Sequence, residues 1–211
     1  MGVWSERVVP RLVDLAGRSP ELDELRARAC EGLHGRVLEL GFGGGLNVRH
    51  YPAAVTTVLA VEPSDVGWEL SRARRATAAV PVERAGLDGQ RLEQDDASVD
   101  CVLTTLTLCT IPDLAAALAE ARRVLVPGGR LHFLEHGQAP DERVAAWQRR
   151  LDPVQGRLFG GCHLSRDIPS HVAGAGLEVQ DVEERYLTGP ALARPWSYGF
   201  LGIARRTPDA A

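Results

Sequence analysis

The chain contains no lysine; all 24 of its basic residues are arginine. This excludes a phosphate-loop lysine, a Schiff-base lysine and a lysine general base. The arginine bias itself is read as codon composition. Basic excess is also missing: the net charge is −4, so the electrostatic footprint of a nucleic-acid binder is absent. No apolar run reaches the ~18 residues of a membrane span, and Met1–Pro10 has no basic-then-apolar leader pattern. The expectation is a cytoplasmic protein with no membrane anchor. Cys30, Cys101, Cys109 and Cys162 lie far apart with no Cys-x-x-Cys pair, as expected of free thiols rather than a disulfide framework or a zinc knuckle. His163 beside Cys162 provides only two ligands, too few for a metal site, so no metal is expected. Aromatics make up only 5% of the chain. Trp147, Phe159, Trp196 and Tyr198 are therefore expected in the core or in the walls of an apolar acceptor pocket.

What is present begins with Val37-Leu38-Glu39-Leu40-Gly41-Phe42-Gly43-Gly44-Gly45, an apolar run that ends in a carboxylate and then a glycine-dense turn. Glycine tolerates positive φ and has no Cβ, so backbone amides can approach a ligand closely there. Leu46–Tyr51 reads as the first turns of a helix. Strand, glycine turn and helix start together make a nucleotide-type site.

Around this turn, strands alternate with helices. Strands are expected over residues 36–40, 57–61, 80–84, 99–105, 130–134, 177–182 and 197–204. Helices are expected over 65–79, from Pro112-Asp113 to Pro127-Gly128-Gly129, and over 142–151 and 166–175. Ahead of them lie two N-terminal helices, over 4–16 and from Ser19-Pro20 to about Glu31. The second has a proline just inside a serine cap and an apolar face of Leu22, Leu25 and Ala29. The alternation calls for a mostly parallel sheet with helices on both faces. Residues 1–32 form an N-terminal helical segment (packing element or lid), and 33–211 form the main domain.

The glycine pattern decides which cofactor fits. A dinucleotide fingerprint wants a small third position, but Leu46 stands there. Glu39, two residues before Gly41, would repel a pyrophosphate yet suit a cofactor with a cationic amino-acid end. Glu62 closes the second strand 21 residues after Gly41, where a ribose diol could donate to it. Asp88-Gly89 follows the third strand, where a carboxylate and an N–H could read an adenine edge.

With these companions the chain resembles the class I S-adenosylmethionine-dependent methyltransferases, specifically the methyltransferase type 11 group. Glu39-Leu40-Gly41-Phe42-Gly43-Gly44-Gly45 is similar to that family's first motif. Asp96-Ala97-Ser98-Val99-Asp100 is similar to its fourth-strand motif, and Arg123-Val124-Leu125-Val126-Pro127-Gly128-Gly129 to its Pro-Gly-Gly turn. Gly44 departs from the Thr or Ser of many members. The resemblance implies a doubly wound, seven-stranded, mostly parallel sheet with an antiparallel last strand. It also implies S-adenosyl-L-methionine as cofactor, held by Glu39, Gly41, Gly43, Gly45, Asn47, Glu62, Asp88, Gly89, Thr105 and Leu106.

Thr105-Leu106-Thr107-Leu108-Cys109-Thr110, Phe133-Leu134-Glu135-His136, Leu151-Asp152-Pro153 and Gly161-Cys162-His163-Leu164-Ser165-Arg166 further resemble the methyltransferase-like thiol S-methyltransferases. That subgroup's membrane-anchoring segment has no counterpart here and is not carried over. The implied reaction is in-line methyl transfer to a small-molecule acceptor, with a thiol as the candidate. O- or N-methylation, or a non-catalytic cofactor-binding partner protein, remain alternatives, and a nicotinamide oxidoreductase is disfavoured by Glu39 and Leu46. His136, just past the fifth strand at the carboxyl edge, is the candidate general base, with a purely structural role as its alternative.

Overall fold

The computed structural model describes residues 4–187 and 190–208. Residues 1–3 of the N-terminal segment, Thr188-Gly189, and residues 209–211 of the main domain lie outside them.

Seven strands form one sheet in the order β3-β2-β1-β4-β5-β7-β6. Their ranges are β1 Gly35–Leu40, β2 Val55–Val61, β3 Val82–Gly86, β4 Val99–Thr105, β5 Leu125–His136, β6 Leu177–Tyr186 and β7 Tyr198–Arg206. All neighbours pair in parallel except β7, which runs antiparallel to both β5 and β6. The strand order reverses between β1 and β4. In an open sheet of this kind, that switch point at the carboxyl edge is where ligands bind.

Successive residues of a strand point to opposite faces, and the core divides accordingly. Leu38, Leu40, Val102, Leu131 and Phe133 pack with α5 (Leu114–Val124) and α7 (Ile168–Gly174) on one face. Val37, Val58, Ala60, Cys101 and Leu103 pack on the other with Leu25, Ala29 and Cys30 of α2 (Pro20–Cys30). Ser19 caps α2 by accepting from the Leu22 N–H at 3.3 Å. A π-type turn (Trp4–Val8) and α1 (Val9–Ala16) precede it.

Four expectations shift. Leu46–Tyr51 is not a helix start but a single 3₁₀ turn over Val48–His50. The Asn47 side chain turns inward to Glu39, and Pro52 withholds the next donor. The helix after β2 breaks at buried Ser71 into α3 (Asp65–Leu70) and α4 (Arg72–Ala76). There the Ser71 hydroxyl donates to the Trp68 carbonyl at 2.6 Å, competing with the helical ladder. Extended backbone begins at Leu125 and runs through Pro127-Gly128-Gly129, with Gly128 at φ +84°, so the turn bends β5 rather than preceding it. Finally α6 (Glu142–Leu158) continues through Pro153. Its end is held from outside by Trp4 Nε1, which donates to the Leu158 carbonyl at 2.8 Å. A four-residue helix, α8 (Arg194–Ser197), leads into β7. No helix among the described residues is long and apolar enough to cross a membrane.

Candidate active site

Glu39 sits one residue before the end of β1 and is buried, with 1% of its surface exposed. Its carboxylate accepts from the Tyr51 hydroxyl and, at 2.9 Å, from Asn47 Nδ2. Burial drives its pKa from the usual 4.5 up to about 7, against the pull of Tyr51, Asn47 and Arg26. Asn47 Nδ2 also donates to Thr105 Oγ1 at 3.0 Å. Asn47 Oδ1 and Thr105 Oγ1 both accept from Arg26 Nη1, at 3.0 and 2.8 Å. Residues from β1, the 3₁₀ approach, β4 and α2 thus close one buried polar network.

Arg26 escaped the sequence reading. Its signal was there: with Leu22, Leu25 and Ala29 it falls on the buried face of α2, where a charge needs a reason. Among the described residues its Nε is buried without a partner.

Gly41, Gly43 and Gly45 have φ of +69°, +54° and +72°, the left-handed region that glycine enters freely. A Cβ on Gly41 or Gly44 would overlap Thr107 or the Asp14 carboxylate respectively, whereas one on Gly43 would meet nothing nearer than 3.9 Å. Gly43 therefore offers the open side of the cradle. The Gly44 departure acquires a cause: Asp14 of α1 occupies the space a Thr or Ser side chain would need. Arg74 bridges this contact, donating to Asp14 at 2.9 Å and to the Gly44 carbonyl.

Glu62 accepts from the Gly43 and Ser64 amides at 2.6 and 2.7 Å, fixing the turn to the end of β2. Burial raises its pKa despite those bonds. Asp88 is exposed on the loop after β3, with Oδ1 accepting from Gln90 N and Nε2 at 2.9 and 3.0 Å; Gly89 abuts Leu40 and Ile111. Leu106 follows β4 at φ +55°, a strained conformation for a residue with a Cβ. Glu135, buried at the end of β5, holds that turn by accepting from Thr107 N at 2.9 Å and Leu108 N at 3.1 Å.

His136 lines an apolar crevice with Leu106, Leu134 and Phe200. Its Nε2 is 3.0 Å from Cys162 Sγ. Cys109 joins the pair, and the three ligand atoms lie within 4.8 Å of one another. The Cys162 thiol is held well below its usual range by the Cys109 hydrogen bond and by His136, against burial. Burial would lower His136, but the hydrogen bond to Cys162 and its charge raise it. Cys162, not His163, faces this cluster; sequence spacing could not foresee a meeting of three separate segments. Tyr198 is buried, but Trp147, Phe159 and Trp196 are exposed, so the core reading fails for those three.

Residues 38–133 match the methyltransferase domain family. Human thiol S-methyltransferase TMT1A is 33% identical over 172 residues, 78% of this chain and 69% of that protein. The chain belongs to the S-adenosylmethionine-dependent methyltransferases. Rat thiol S-methyltransferase TMT1B is 36% identical over 136 residues, 62% of this chain and 55% of that protein. The chain thus spans between about half and two thirds of these relatives' length. An S-adenosylmethionine-dependent methyltransferase from Mesorhizobium loti superposes with a TM-score of 0.64, covering 90% of this chain and 99% of that one, at 20% identity. This last likeness speaks to the fold alone. The residues present suit a methyltransferase cofactor: an unpartnered buried guanidinium Nε and a buried carboxylate titrating near neutral lie beside an open glycine cradle.

Proposed function

We propose that this methyltransferase transfers the methyl group of S-adenosylmethionine to the sulfur of a small apolar thiol. The observation that carries the cofactor side is the Glu39–Asn47–Arg26 network. A carboxylate raised toward neutral pH by burial is short of a cation, and the neighbouring guanidinium has an N–H short of an acceptor. An α-amino acid end provides both. Bound cofactor supplies an electrophilic methyl group on a sulfonium sulfur. Glu39 accepts from the ammonium, Arg26 donates to the carboxylate, and Gly43 gives the backbone its close approach. Glu62 and Asp88-Gly89 take the ribose and adenine, with Thr105 and Leu106 closing the methionine side.

The thiol is supported by the printed names of the relatives and by the apolar crevice of Leu106, Leu134 and Phe200 beside His136. α1 and α2 cover the cradle through Asp14 and Arg26, which supports a positioning role for the N-terminal segment. The four free thiols support a reducing, cytoplasmic location.

The test is transfer of labelled methyl to a panel of thiols, phenols and amines by the wild type and His136→Ala. Labelling of thiols, lost in the variant while S-adenosylhomocysteine still binds, is the expected result. Labelling of phenols or amines but not thiols would refute the acceptor, and no labelling would favour a cofactor-binding partner protein.

A further inference from the structure

Three metal-ligating side chains from separate segments meet at the carboxyl edge of the sheet, and the cofactor residues described above do not include them. Cys109 sits on the turn after β4, His136 ends β5, and Cys162 lies on the loop after α6. Their Sγ, Nε2 and Sγ atoms lie within 4.8 Å of one another, with Nε2 and the Cys162 sulfur at 3.0 Å. In tetrahedral zinc with Zn–S of ~2.3 Å and Zn–N of ~2.0 Å, neighbouring ligand atoms stand ~3.5–3.8 Å apart. The cluster is already close to the size of one face of that tetrahedron.

Both cysteine segments are held from outside the cluster. Glu135 and Arg166 fix Leu108, next to Cys109, at its N–H and carbonyl. The His163 amide donates to the Cys109 carbonyl at 2.9 Å, tying the two cysteine segments together. Asp152 accepts from the Leu164 amide at 2.6 Å and from the Ser165 hydroxyl, anchoring the Cys162 loop to α6. Gln155 Nε2 approaches the Cys162 sulfur at 3.6 Å. Such outer contacts preorganise ligands at metal sites.

We propose that Cys109, His136 and Cys162 bind a zinc-class ion. Two thiols and an imidazole select a soft or borderline cation, and three protein ligands leave the fourth position open, the pattern of a catalytic rather than a structural zinc. His136 borders the apolar crevice while the two cysteines stand outside its lining; a thiol reaching the fourth position would bind as its thiolate and release its proton to solvent. A free thiol with a pKa of ~8.5 is mostly protonated at neutral pH, and coordination removes that obstacle. This role at the acceptor rests on the thiol reading above; the metal site itself does not.

The test uses the full chain, reduced, stripped of metal and titrated with Co²⁺. A thiolate-to-cobalt charge-transfer band saturating at one ion per chain is expected. Cys109→Ser and Cys162→Ser should each weaken cobalt affinity by roughly 100-fold or more, while the thermal shift with S-adenosylhomocysteine remains and certifies the fold. No such band in the reduced wild type, or an undiminished band in either variant, overturns the site. Addition of a small alkyl thiol should move the spectrum, and an unmoved spectrum overturns the open position. Cobalt binding without methylation of any thiol would refute the acceptor reading and leave the metal site standing.

Discussion

Glu39→Gln isolates the energetic state of the cofactor cradle. Folding raises the Glu39 pKa from 4.5 to about 7, because burial outweighs its two hydrogen bonds and Arg26. The folded chain therefore holds this proton to higher pH than the unfolded chain. Its contribution to stability is complete below about 4.5 and is lost as pH rises through about 7. The distance from 4.5 to about 7, at about 1.36 kcal/mol per pH unit, amounts to about 3 kcal/mol, or ~6–12 °C in melting temperature for a chain of this size. The isosteric amide cannot ionise. Ligand-free wild type should accordingly lose about 3 kcal/mol relative to Glu39→Gln between pH 4.5 and 8. Cofactor binding should show the opposite trend. Affinity for S-adenosylhomocysteine should rise with pH in the wild type as Glu39 ionises to meet the ammonium, and the variant should bind more weakly without that rise. Thermal melts and calorimetric titrations of both proteins at several pH values measure this. Parallel melting profiles would refute the burial argument, and an affinity rising equally in both proteins would remove Glu39 from the ammonium.

Arg26→Met keeps the stem of the side chain but removes the donors facing the cradle. S-adenosylhomocysteine affinity should fall ~10–100-fold, the worth of a charge-assisted hydrogen bond, measured by calorimetry; unchanged affinity would leave Arg26 a purely structural partner of Asn47 and Thr105. Gly44→Ser drives a Cβ into the Asp14 carboxylate. Denaturant unfolding should show a loss of about 1–3 kcal/mol, and Gly44→Ser combined with Asp14→Gly should recover much of it.

The sequence by itself determined the parts set by local chemistry. Apolar runs and glycine or proline punctuation located all seven strands, and β4 has the predicted bounds. Glu39, the positive-φ glycines and Glu62 could be found because a carboxylate beside a glycine turn has few other purposes. Helix ends were less legible: α6 runs on through Pro153, and its last turn gives no local signal of the Trp4 side chain that meets the Leu158 carbonyl from far away in sequence. The 3₁₀ turn after the cradle likewise forms because Asn47 has partners on β1 and β4.

Chain topology settles which distant residues meet around the candidate site. Arg26, 21 positions before Asn47, and Asp14 reach the cradle because α1 and α2 fold back over it. Cys109, His136 and Cys162 converge because parallel β4 and β5 deliver their carboxyl ends to one edge and Asp152 pins the third segment against them. Periodicity records which face of an element is buried. It carries no information about which residue, dozens of positions away, meets that face.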